Sequence, residues 1–548
     1  MKRGHGLASA VVCIVAVLTL AACGGSGGSG GSDFDGVGDC TPIQAAVSSE
    51  KVGLMARLSS LFQDSPEGKG LAHCAAVVPT NVASGEAAGL LGAGWPKDST
   101  DKPQPVIWSP ASTSWVTQVA GRLGSDSLGE SASIARSPLV IAMPEQMARQ
   151  LGWPSKPVDL RALHDLCLDP KGWGRFGAAQ STWGRFKLGK TNPETSTSGQ
   201  NMLLMQDYAA VNKQKDLTVD DITAGADFSR ELESCVIHYG DTTGNVLQRV
   251  YDLDQEGKPL DYVSAVAVEE TSVINYNMGN PSSGVVKDGT QLTAPRKKLV
   301  AVYPSGGSLQ SDNPLVVLNT RVAPWASAEQ RTAAQAFLKF AQSPAAQSVL
   351  GDFGFRPADP AAAPGGKVTA DYGVDPKQPT TLLPQPSPEV TAAAKQQWNS
   401  YRKPSSVLEL LDVSGSMGQP VSTGGPSRID AAIASASATL GHFRPTDNVG
   451  VQVFTTDNLG APTVTTIPTS RRLAGMRRTC AISSGRCRPS SVRRCTTPSP
   501  KPTTAWLPVR SPAGSTPSCS SATAKTRTHA HTTSTPCSPS CEVPRVRK

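Results

Sequence analysis

The chain has 548 residues, room for two to four domains of ordinary size, and its 38% hydrophobic and 5% aromatic content is low for one compact core, so part of it reads as linker. The formal net charge of +8 sits in residues 477–548, which hold 13 Lys and Arg against the single acid Glu542 and leave the rest near −4. A nucleic-acid-binding role would rest on that tail alone and is not expected.

The amino terminus reads as an address. Lys2 and Arg3 precede an apolar stretch from Leu7 to Ala22, which is short for a bilayer-spanning helix and has the layout of a secretory signal peptide. It ends in Leu20-Ala21-Ala22-Cys23, followed by a Gly/Ser run suited to a flexible tether over 24–39. The ending resembles a bacterial lipobox. The resemblance implies that residues 1–23 are a lipoprotein signal, that Cys23 becomes the acylated (palmitate-type) amino terminus, and that the protein is anchored on the extracytoplasmic face of the cell membrane. Export suits the cysteines of the main body, Cys40, Cys74, Cys167 and Cys235, as two disulfides. Sequence proximity favours Cys40–Cys74 and Cys167–Cys235, although four cysteines allow three pairings.

From residue 40 to 365, short apolar runs alternate with amphipathic helical patterns, the signature of an α/β domain. Strands are expected at 105–108, 139–143 and 263–268, and a helix from Ala334 to Leu350. Two strand ends run into hydroxyl-rich helix starts. Ser109 and Ser112 follow the first strand, and Ser196, Thr197 and Ser198 precede a helix from Gln200. Helix starts with free N–H groups and neighbouring hydroxyls can bind anions or polar oxygens, while the same residues serve equally as plain caps. Arg136 could face an anionic ligand.

Several of these stretches resemble bacterial extracellular solute-binding proteins of the type 2 periplasmic fold. The residues that carry the likeness are Trp108 to Ser112, Ala135 to Ala142, Phe186 to Pro193, Ser196 to Gly199 and Phe353 to Pro357. The resemblance implies two α/β lobes around a cleft, with the chain crossing between them twice. The first crossing is expected near Ser137–Ala142 and the return between Val263 and Tyr303.

Residues 366–404 are rich in Pro and Ala and read as a semi-rigid connector, with one helical stretch from Glu389 to Trp398. A strand over Val407 to Leu411 then ends in Asp412-Val413-Ser414-Gly415-Ser416. One carboxylate and two hydroxyls at alternate positions of a tight loop offer hard oxygen ligands of the kind Mg²⁺ prefers. A helix from Ser427 to Phe443 and a strand from Asn448 to Phe454 follow. This arrangement resembles the Rossmann-like von Willebrand factor A (VWA) domain over 405–476. The resemblance implies a metal-ion-dependent adhesion site in which Asp412, Ser414 and Ser416 hold Mg²⁺ and the ion's open position takes a carboxylate from a protein partner.

After residue 476 the apolar pattern stops. A basic tail without a fold is one reading of 477–548. A reading-frame error is the sharper one. Taking the third base of each displayed codon with the first two of the next permits TALYDAVAEAYDGL from Val492 to Trp506 and AVVLLSDGK from Thr516 to Lys525. Both resemble the later VWA loops that supply a Thr and a second Asp. The displayed chain would then carry a truncated VWA module with an impaired Mg²⁺ site.

Outside the Gly/Ser run there is no G-x-S-x-G that could form an elbow, there is no H-E-x-x-H or P-loop, and two of the seven His lie in the tail, so no catalytic role is expected. The composite expectation is a membrane-anchored binding protein. It joins a two-lobed ligand-binding domain for a small polar or anionic ligand to a truncated VWA module that grips a protein partner. The alternative is the solute receptor of an ABC-type importer with an accessory VWA module.

Overall fold

The computed structural model describes residues 37–467 apart from 98, 100, 288, 422–424, 440–442, 445 and 457–461. The expected signal segment with Cys23, most of the tether, and the basic tail lie outside the described residues. The chain divides into two compact units. One reaches Val407 and takes in Phe443–Val449; the other begins at Leu408 and resumes at Gly450.

The first unit is two α/β lobes. Lobe 1 is a five-stranded sheet built from β1 (Thr41–Val47), β2 (Ala75–Asn81), β3 (Ile107–Ser109), β4 (Ser131–Ser133) and β11 (Pro314–Val317), in the order β2-β1-β3-β11-β4. The three early strands are parallel and β11 runs against β3. Lobe 2 holds β5 (Ser137–Pro144), β6 (Leu188–Thr191), β7 (Val236–Gly240), β8 (Ala265–Glu269), β9 (Leu299–Val302) and β10 (Gln310–Ser311). Their order is β10-β5-β8-β6-β7, with β9 on β5. The helices used below are α1 (Val52–Asp64), α2 (Ser84–Ala93), α3 (Thr113–Leu123), α4 (Thr197–Ala210), α5 (Thr243–Gln255), α6 (Ala328–Ala341), α7 (Pro388–Tyr401) and α8 (Arg428–Thr439).

Every residue of β5 is buried, as is typical of a strand covered on both faces. The apolar faces of α1 and α6 meet over lobe 1, where the rings of Phe62 and Phe337 pack edge to face at 5.3 Å. The helix expected over 334–350 is two helices, because Pro344 begins a new one capped by Ser343. Disulfides join Cys40 to Cys74 at the starts of β1 and β2, and Cys167 to Cys235 at the start of β7, with Cα–Cα distances of 4.8 and 5.9 Å.

The crossings differ from those expected. Residues 137–144 belong wholly to the lobe 2 sheet, so the first crossing precedes them, at 134–136. The stretch from Val263 to Tyr303 stays within lobe 2 as β8 and β9, and the return comes at Asp312-Asn313, between β10 and β11. A third crossing follows. Arg356 bridges back to Arg136, after which the chain returns to lobe 2. The segment expected as a connector is therefore a strap. Val368, Val374 and Leu383 enter the lobe 2 core, and α7 seals it with Val390, Ala394 and Trp398. Composition misled here because Pro and Ala suit a packed strap as well as an exposed linker.

The second unit holds the remainder of a sheet ordered β12 (Ser406–Asp412), β13 (Asn448–Thr456) and β14 (Pro462–Ile467), together with α8, whose start is capped by Ser427. Leu408 and Leu410 of β12 are 53% and 57% exposed, so this sheet has an apolar face that the described residues leave uncovered. Among the described residues, no helix is long and apolar enough to cross a membrane.

Candidate functional site

Helix starts from both lobes meet at one cleft. Lobe 1 supplies Ser48, Ser49 and Glu50 after β1 and Ser84 at α2; lobe 2 supplies Ser196, Thr197 and Ser198 at α4 and Asp241 and Thr242 before α5. The space left between these groups has a cavity volume of about 10 Å³, room for about one water, so the two lobes stand closed on each other here. Each lining group sits where a strand hands over to a helix, because a parallel strand delivers its carboxyl end to the helix N-terminus. Gly199 permits the tight turn into α4: a Cβ there would lie 2.3 Å from the carbonyl oxygen of Thr191.

The lobes are hydrogen-bonded across this cleft. The Trp115 indole donates to Thr197 Oγ1 at 2.8 Å, Gln200 donates to Ser114 Oγ at 2.8 Å, and the Gly85 N–H donates to the Thr195 carbonyl at 2.7 Å. Within lobe 2, Ser198 Oγ lies 3.1 Å from Thr243 Oγ1. The hydroxyls of Thr197 and Ser198 therefore already bridge elements around the cleft, while Ser196 makes no side-chain cap bond.

Three of the six ligand residues expected from sequence, Ser196, Thr197 and Ser198, line the cleft, and three do not. Ser109 is wholly buried; its hydroxyl accepts from Lys51 Nζ at 2.9 Å and donates to the Pro314 carbonyl at 2.8 Å. Ser112 caps α3, accepting from the Ser114 N–H at 3.2 Å. Arg136 donates to the carbonyls of Pro357 and Asp359, both at 2.7 Å, and so secures the third crossing rather than a ligand. Sequence reasoning missed Ser48, Glu50, Asp241 and Thr242. The signal was available: both β1 and β7 run into a polar turn and then a helix, as the 109–112 and 195–199 stretches do.

The electrostatics behind the cleft are acidic. Lys51 is wholly buried, and burial lowers its ammonium to about 7 despite Glu50, Asp312 and Glu269 nearby. Burial, helped by Glu50, pushes the Glu269 carboxyl well above the usual carboxylate range. Its Oε1 accepts from Ser311 Oγ at 2.8 Å.

The strap also reaches the cleft wall. Lys395 of α7 places its Nζ 4.2 Å from the centre of the Trp115 ring and donates to Gln118 Oε1 at 3.3 Å. Trp398 donates to Glu233 Oε2 at 3.2 Å, beside the fully buried Lys190–Glu233 ion pair.

In the second unit, Asp412 Oδ1 accepts from the Ser414 N–H at 2.8 Å, and Ser414 Oγ and Ser416 Oγ lie 3.1 Å apart. Adjacent ligands of an octahedral Mg²⁺ with bonds of about 2.1 Å are separated by about 3.0 Å. The 3.1 Å between the two hydroxyls is an ordinary hydrogen-bond distance, and one carboxylate with two hydroxyls is oxygen chemistry of the kind such an ion takes. Among the described residues there is no group of three or more His, Cys, Asp or Glu that could hold a metal.

The family described as bacterial extracellular solute-binding protein matches residues 43–356. Two uncharacterized proteins of Mycobacterium tuberculosis, from strains CDC 1551 / Oshkosh and ATCC 25618 / H37Rv, are each 24% identical over 384 residues, covering 70% of this chain and 51% of their own length. The chain thus spans about half the length of the curated relatives it matches. Among solved structures, the sulfate-binding protein SubI from Mycobacterium tuberculosis H37Rv is 17% identical with a TM-score of 0.38, covering 59% of this chain and 88% of that one. A periplasmic thiamin binding protein is 13% identical with a TM-score of 0.41, covering 66% and 96%.

Proposed function

The chain belongs to the family of bacterial extracellular solute-binding proteins, and from that premise we propose that it captures a small polar solute between its lobes and serves as the receptor of an ABC-type importer. The observation that carries this reading is the convergence of hydroxyl-bearing helix starts from both lobes on one cleft, bridged by Trp115 and Thr197. Backbone N–H groups and hydroxyls at helix starts hold polar oxygens without requiring a catalytic group, which supports a binding role. Small-angle scattering and calorimetry of the full chain against a panel of small solutes test it. Saturable binding with compaction of the first unit is expected, and a panel of oxyanions, amino acids and amines without any saturable binder removes the reading.

A second reading concerns the unit after Leu408. The oxygen set of Asp412, Ser414 and Ser416 on one loop after β12 supports reading it as a VWA-like Mg²⁺ site for a partner's carboxylate. Bound there, Mg²⁺ would supply a Lewis-acidic position for that carboxylate. The chain's own part is to aim three oxygens into one notch. We propose further that residues after 476 have lost their original frame, so that the partner-binding function belongs to a frame-repaired version. EDTA-sensitive capture of a partner by the repaired chain, absent from the displayed one, is the expected result. An intact frame on resequencing codons 470–480 would remove the proposal. The Cys23 lipid anchor completes the reading, and mass spectrometry of the mature amino terminus tests it.

A further inference from the structure

The cleft contains an acid with one carboxylate oxygen that no hydrogen bond among the described residues answers. Glu50 is 9% exposed and lines the cleft. Its Oε2 accepts from the Ser49 hydroxyl at 3.2 Å, but its Oε1 is buried without a hydrogen-bond partner among the described residues. Ser48 Oγ, which lines the same space, is likewise buried and unpartnered. The adjacent Lys51 acts on Glu50 through charge but gives it no hydrogen bond, because its Nζ donates to Ser109 Oγ at 2.9 Å and to the Pro110 carbonyl at 2.7 Å. On the opposite lip, lobe 2 contributes a second acid, Asp241.

A buried carboxylate oxygen is costly to leave unpaired, so a position that keeps one is suited to a donor that arrives from outside. A bare dianion would meet Glu50 and Asp241 together, while the hydrogen bonds of the buried Lys51 Nζ go to Ser109 and Pro110. We infer that the cleft takes a solute bearing a protonated amine or a comparable cationic N–H donor. The donor's protons go to Glu50 Oε1 and Ser48 Oγ, and Asp241 faces it from lobe 2. The hydroxyl-rich starts of α4 and α5 hold the solute's polar oxygen end. Charge-assisted bonds of this kind are stronger than neutral ones, which gives the cleft its selectivity. The inference rests on the reading of this cleft as the solute site and specifies its ligand class.

Calorimetric titration of the full chain with ethanolamine, glycine and sulfate, repeated on Glu50→Gln, tests it. Either ammonium compound is expected to bind at least tenfold more tightly than sulfate. Glu50→Gln should weaken that binding at least tenfold while leaving the melting temperature of the solute-free protein unchanged or raised, since a buried carboxylate oxygen without a hydrogen bond is removed. Should Glu50→Gln unfold more easily, Asp241→Asn carries the same comparison, with a loss of at least threefold expected. Sulfate binding with both amines silent overturns the inference and leaves the cleft reading intact. Amine binding that neither variant weakens overturns the inference alone, and silence toward all three probes overturns both.

Discussion

Single side chains hold the hinge region together. Arg356 meets Glu270 with two hydrogen bonds of 2.7 Å, and Glu270 also accepts from the Tyr303 hydroxyl. The pair is buried, so removing one member strands the other charge. Arg356→Met is expected to cost about 3–5 kcal/mol of unfolding free energy, as seen when buried ion pairs are broken. Urea denaturation of the two proteins checks this, and equal midpoints would show that Glu270 finds another partner. Asp207 of α4 makes a second residue-scale case. Burial raises its carboxyl to about 7, and Ser229 donates to it at 2.8 Å. Its ordinary value is about 4, so between about 4 and about 7 the folded protein keeps a proton that the unfolded chain has lost. This group's contribution to stability therefore falls as pH rises through that window. Asp207→Asn removes the dependence, and the melting temperature of the variant minus that of the wild type should grow from pH 4 to pH 7. A constant difference would place the Asp207 side chain in water.

At the scale of elements, α7 is the feature that composition concealed. Its apolar residues Val390, Ala394 and Trp398 close the lobe 2 core, and its Lys395 lies against Trp115 on the wall of the cleft. Burial lowers the Lys395 ammonium to about 8. Trp398 is 2% exposed, and its indole donates to Glu233, which also pairs with Lys190. Trp398→Ala is expected to destabilise the first unit by about 3–5 kcal/mol, the usual range for a buried aromatic. Proteolysis should then cut within 366–404, where the intact protein is expected to resist because α7 is docked. An unchanged digestion pattern would mean that the strap stays docked without its anchor. The spacing of Val390, Ala394 and Trp398 at i, i+4 and i+8 was legible as one helical face. What it faced was not legible, since its partners come from strands and helices nearly two hundred residues earlier.

At the scale of the whole first unit, the decisive feature is how closely two lobes approach. Gly85 sits at the start of α2 in lobe 1, and a Cβ there would lie 2.4 Å from the Glu194 carbonyl oxygen and 2.8 Å from the Thr195 Cα of lobe 2. These are backbone atoms and cannot rotate away. Gly85→Ala is therefore expected to hold the lobes apart, enlarging the radius of gyration and weakening solute binding by about tenfold or more, in proportion to the lost closed population. Scattering curves of wild type and variant that superimpose would show that the lobes close without this contact. The residue has no mark in the sequence: Ala83-Ser84-Gly85 is an ordinary helix start, and only the arrival of residues 194–195 from the other lobe makes it special.

What the sequence determined by itself was local. The strands expected at 105–108 and 139–143 and observed at 107–109 and 137–144, the hydroxyl-rich helix starts, the α/β alternation and the Asp412-Val413-Ser414-Gly415-Ser416 loop after β12 all follow from periodicity and from residue types at short spacing. The tertiary structure decided which of those groups meet. It placed Thr197 and Ser198 in the cleft, turned Ser109 and Arg136 to internal partners, moved the return crossing to Asp312-Asn313, and made a strap of an expected connector. The physical reason is that a backbone preference is set by neighbours within a few residues, whereas burial, charge pairing and closure depend on segments brought together from distant parts of the chain, whose separation no local pattern encodes.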